Sequence, residues 1–154
     1  MIALGAASQL HLLRALFGKI KTTRIVLGEV APGGEQPLPG EAEILQAIQA
    51  KWLTPLDREW DEPVFPFLDP GEASVLRAAS NLRAPRLLLI DDLPARAAAK
   101  GLGFAVTGPA GVLVNAKRRG LLPSVRPVLE RLHANGFRLS TELIRAVIQE
   151  AGEG

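Results

Sequence analysis

The sequence predicts an α/β protein, a three-layer α/β/α sandwich around a parallel sheet, and three observations carry that expectation. Leu87-Leu88-Leu89-Ile90 is a continuous apolar run between Pro85 and Pro94, the pattern of a strand buried on both faces. Helical stripes alternate with short apolar segments through the second half, as in β-α-β units. The 154 residues are 47% apolar, enough for the core of one ordinary domain spanning residues 1–154. Only two or three strands are convincing, few for so many helices.

In chain order, Ser8 to Phe17 reads as a helix with Leu10, Leu13 and Phe17 on one face, ended by Gly18. Thr22 or Thr23 then caps a short helix carrying Ile25, Val26 and Val30, with Glu29 in its last turn. Ala31 to Gly40 holds three prolines and three glycines and must be a loop. Glu41 to Lys51 is a helix striped by Ile44, Leu45 and Ile48, and Trp52 to Leu56 is a short strand. After a polar connection, Asp69 is placed to cap a helix with Pro70 in its first position and Glu72 in its first turn. A strand from Arg86 to Ile90 follows, then a helix from Leu93 to Lys100, a turn at Gly101 to Gly103, and a strand from Phe104 to Thr107. Helices from Ala110 to Arg119, Ser124 to Ala134, and Ser140 or Thr141 to Glu150 complete the chain.

Several chemistries are excluded. Without cysteine there are no disulfides or thiolate metal sites, and a cytoplasmic location is the default. His11 and His133 lack a spaced partner, so zinc is disfavoured and both are expected on helix surfaces. No phosphate-cradling glycine loop or nucleophile elbow is present. No apolar run is long enough for a membrane span, and no basic leader marks a signal peptide. A net charge of +2 does not by itself argue for nucleic-acid binding. The cluster Lys117-Arg118-Arg119 could grip a phosphate backbone, or could be a solvated helix face.

The informative chemistry is acidic. Asp91 and Asp92 follow the Leu87–Ile90 strand directly. Two carboxylates at the carboxyl end of a buried strand repel each other, and a divalent cation would relieve them. The plain alternative is that both are solvated, with Asp92 capping the next helix.

Three stretches carry a resemblance to a known family: Asp69-Pro70-Gly71-Glu72-Ala73, Leu87 through Asp92 with Ala95-Arg96, and Phe104 through Gly108 with Gly111-Val112-Leu113 and Ala116-Lys117. They resemble PIN domains, in particular the short prokaryotic PIN-related branch labelled as a domain of unknown function, kin to VapC-type toxin ribonucleases. The resemblance runs from about Ile2 to Ala151. It implies a parallel α/β/α fold and a nuclease that cleaves RNA using Mg2+ or Mn2+. In toxin-antitoxin systems it further implies a homodimer and an inhibitory antitoxin. Glu29 matches the family acid late in the second helix, Glu72 the acid opening the helix before the strand, and Asp91 and Asp92 the acids at its end. These four are the expected catalytic and metal-holding residues, with Lys117, Arg118 and Arg119 as candidate RNA-backbone contacts. One departure stands out: the family begins with a strand ending in an Asp, and Met1 falls just past that position. A late start codon, or a truncated or degenerate copy, is the expectation this raises, with a non-catalytic RNA- or protein-binding module as the alternative to an enzyme.

Overall fold

A computed structural model describes residues 1–83 and 87–154. The chain opens with α1 (Ile2–Ala6), α2 (His11–Phe17), β1 (Ile20–Thr22), α3 (Arg24–Val30), α4 (Glu41–Gln49) and β2 (Leu53–Pro55). It continues with α5 (Pro70–Asn81), β3 (Leu88–Leu89), α6 (Leu93–Gly101), β4 (Val106–Thr107), α7 (Pro109–Arg118), α8 (Arg126–Ala134) and α9 (Thr141–Glu150). Helix and strand alternate and all strand pairing is parallel, as the sequence predicts. Among the described residues the strands form two separate ribbons, β1 with β2 and β3 with β4. Lys21 and Leu89 sit between residues that bond to the partner strand, so their backbone groups face the other edge of each ribbon.

The core divides in the same way. Leu4, Leu12, Leu13, Ile44, Leu53, Leu113 and Val128 belong to a cluster around α1, α2 and α7. Leu76, Ala79, Leu88, Ile90, Ala95 and Ala99 form a second one between α5, β3 and α6. The Pro- and Gly-rich loop before α4 is held by a buried carboxylate: Glu41 accepts from the Gly33 and Leu38 N–H groups, both at 2.8 Å. Those two charge-assisted bonds are what let an acid sit 3% exposed.

Several local expectations need correction. Ser8 has φ 58°, outside the helical region, so the helix predicted from Ser8 begins only at His11 as α2, and α1 before it was not anticipated. β1, a three-residue strand centred on an exposed lysine, leaves no apolar run in the sequence to mark it. The run starting at Leu87 is not buried on both faces throughout: Leu87 is 41% exposed while Leu88 and Ile90 are buried. The first predicted residue of that strand, Arg86, lies outside the described residues. His11 and His133 are both exposed on helices, as expected. Among the described residues no helix is long and apolar enough to cross a membrane.

Candidate functional site

The site is built on the contact between α3 and α5, which a buried hydroxyl relay fixes. Thr23 caps α3, its Oγ1 accepting from the Val26 N–H at 3.1 Å. Ser74 donates its one hydroxyl proton to the Gly71 carbonyl at 2.7 Å. The Thr23 hydroxyl must therefore donate to Ser74 Oγ across their 2.6 Å contact. The relay links the N-terminus of α3 to the first turns of α5, and both hydroxyl residues are at most 1% exposed.

Glu29, near the end of α3, lies with its carboxylate against Gly71, where an added Cβ would overlap Oε2. A side chain at this position would displace the Glu29 carboxylate, and the backbone φ is an ordinary helical one. Glu72 follows immediately. Partial burial pushes its carboxyl above the usual range, and the charges of Asp69, Asp92 and Glu29 push the same way. A hydrogen bond from its own backbone N–H opposes them. Asp92 reaches the site from beyond β3 while also capping α6, its Oδ2 accepting from the Ala95 N–H at 3.0 Å.

Four carboxylates, Glu29, Asp69, Glu72 and Asp92, thus come from three separate segments into one neighbourhood. Asp69 was expected only as a cap. It makes no side-chain cap hydrogen bond and its charge bears on Glu72 instead. Its position three residues before Glu72, at the start of the same helix, was the available signal. Asp91 stands apart: its charge acts on the buried Met1 amino group, whose pKa is lowered by burial, against the Asp91 charge. The acids are not closed onto one point, and among the described residues no group of three or more His, Cys, Asp or Glu side chains is arranged to hold a metal ion. Their donor chemistry nevertheless suits a hard divalent cation, all oxygen and strongly negative.

The basic cluster is engaged elsewhere. Lys117 Nζ donates to the Pro123 carbonyl and lies 3.7 Å from Glu153, and Arg118 donates to the Glu150 carbonyl at 3.2 Å. Glu153 is held below the usual carboxylate range, first by the Ser124 hydroxyl and then by the Val125 N–H and Lys117. Lys117 and Arg118 therefore tie down the C-terminal segment, while Arg119 is exposed and has no side-chain partner among the described residues.

A family model described as a PIN domain matches residues 1–153. Comparison with curated proteins gives no match. Comparison with solved structures gives none either.

Proposed function

The chain belongs to the PIN domain family, and on that premise we propose that it is a metal-dependent ribonuclease. The observation that carries the reading is the convergence of Glu29, Glu72 and Asp92, with Asp69, from three separate segments. Glu29, Asp69, Glu72 and Asp92 would hold Mg2+ or Mn2+, with Asp91, whose charge acts on Met1, outside that set. When bound, such an ion supplies a Lewis acid and neutralises charge for phosphodiester hydrolysis. Glu72, whose carboxyl is held above the usual range by partial burial and by its acidic neighbours, is the member of the set whose charge a cation would relieve most. The family reading also extends to one domain over the whole chain, a three-layer sandwich, a homodimer, and pairing with an antitoxin.

The open spacing of the acids favours a second reading, a non-catalytic PIN-like module that binds RNA or protein. One experiment separates the two: Mn2+-dependent cleavage of a generic single-stranded RNA by the native chain and by Asp92→Asn. Asparagine caps a helix about as well as aspartate, so the variant removes charge and keeps the cap at Ala95. The enzyme reading expects a loss of about 100-fold or more. Equal rates in the two proteins would remove the catalytic assignment.

A further inference from the structure

The carboxyl end of β2 opens into a cavity of about 310 Å³ lined by Lys21, Pro55, Asp57, Arg58, Trp60 and Leu82. Its volume is at the lower end of the range for small-ligand sites. Its chemistry is uneven in an instructive way. Trp60, one of only two tryptophans in the chain, is half-buried, and the Arg58 guanidinium sits 4.9 Å from the centre of its ring. Lys21 and Arg58 are both exposed, and the ion pairs among the described residues all involve Glu153, so neither cation is neutralised by a close carboxylate. Pro55 and Leu82 supply an apolar surface, and Asp57 a hydrogen-bond acceptor.

An indole with Arg58 on one face, two cations outside any ion pair among the described residues, an apolar wall and one acceptor are the parts that bind a nucleotide of an unpaired strand. The ring stacks on the base, the cations meet the flanking phosphates, and the carboxylate accepts from an exocyclic amine. We propose that this cavity is a base-stacking subsite for single-stranded RNA, with Trp60 as the platform and Lys21 and Arg58 as phosphate contacts. The assignment deepens the ribonuclease reading and rests on it for the choice of RNA. Leu82 follows the end of α5 and Glu72 lies in its first turn. At 1.5 Å rise per residue the subsite stands about 15 Å along that helix from the acids. A strand seated at Trp60 therefore engages the protein beyond the acids, through flanking nucleotides.

The test is equilibrium binding of single-stranded polyadenylate in EDTA, read by intrinsic fluorescence and by anisotropy of labelled RNA. Trp52 is 9% exposed in the core, so quenching by RNA reports Trp60. The expected result is saturable quenching in the native chain and an affinity about 5- to 150-fold weaker in Trp60→Ala, the range for one stacked base. Trp60→Phe should retain most of the affinity, and Lys21→Ala should reduce the salt slope by about one. Native affinity in Trp60→Ala, or quenching by a proline-rich peptide and not by RNA, overturns the assignment. The two readings fail separately. RNA binding that depends on Trp60, without Mn2+-dependent cleavage, leaves the subsite standing and removes the nuclease. Cleavage and binding both indifferent to Trp60→Ala do the reverse.

Discussion

Replacing Glu72 by glutamine should make the metal-free protein more stable at neutral pH. Partial burial pushes the Glu72 carboxyl upward and Asp69, Asp92 and Glu29 push the same way, so its ionised form is opposed by lost hydration and by three like charges. For partly exposed groups each such pair is worth about 0.2–1 kcal/mol. Against this gain, the variant loses a carboxylate from the first turn of α5, where the helix dipole favours negative charge by about 0.3–1 kcal/mol. The balance is a gain of about 1 kcal/mol, or about 2–4 °C in Tm for a chain of this size. The sign with pH follows from the direction of the shift. A carboxyl held above its unfolded value binds its proton more tightly in the folded state. Its cost is therefore absent below about pH 4, the unfolded carboxylate range, and sets in as pH rises through the folded value. Thermal unfolding by circular dichroism in EDTA should show the advantage of Glu72→Gln at pH 7 and its disappearance at pH 4. Mn2+ supplies the converse: at 100 times its Kd it should stabilise the native chain by about 2.7 kcal/mol, or about 5–10 °C, and the variant by much less. A less stable variant at pH 7 in EDTA, or equal Mn2+ shifts in both proteins, would refute the picture of one shared acidic site.

Gly71→Ala places a methyl on the Glu29 carboxylate, the mobile end of a side chain, at a position with ordinary helical backbone. It should change stability by less than about 1 kcal/mol, because the helix preference of alanine offsets the displacement, while largely abolishing the Mn2+-induced rise in Tm. Thr23→Ala removes both the α3 cap and the donor to the buried Ser74 hydroxyl. It should cost about 1–3 kcal/mol by urea denaturation at unchanged m-value.

Local signals marked Glu72 as a first-turn residue and Asp92 as a strand-end acid or cap, and only the family resemblance brought them together with Glu29 as one acidic neighbourhood. The sequence did not reveal that Asp91 and Asp92 would separate. Side chains alternate along a strand, but Asp91 and Asp92 lie past the end of β3: Asp92 caps α6, and the Asp91 charge acts on Met1. The same alternation leaves Leu87 exposed beside buried Leu88. Lys117 and Arg118 could be read as a phosphate grip or as a solvated helix face, and their partners Pro123, Glu150 and Glu153 lie in the C-terminal third at distances no local pattern reports. β1 was missed because a strand this short is specified by its pairing with β2 rather than by its own residues.

The relay between Thr23 and Ser74 also bears on how the molecule assembles. β3 and β4 are joined through α6 alone, Leu88 pairing with Val106 only 18 residues on, whereas Thr23 and Ser74 are 51 residues apart in the chain. Loop-closure entropy grows with each doubling of that separation by about 0.6 kcal/mol, and contacts of long sequence range slow folding. The β3–α6–β4 unit, which carries Asp92 at its first turn, is thus the inexpensive part to form. Docking α3 onto α5, which delivers Glu29, is the costly closure, and repulsion among the acids opposes it at that same moment. The carboxylate site therefore forms only once that closure is made, after the β3–α6–β4 unit that already carries Asp92.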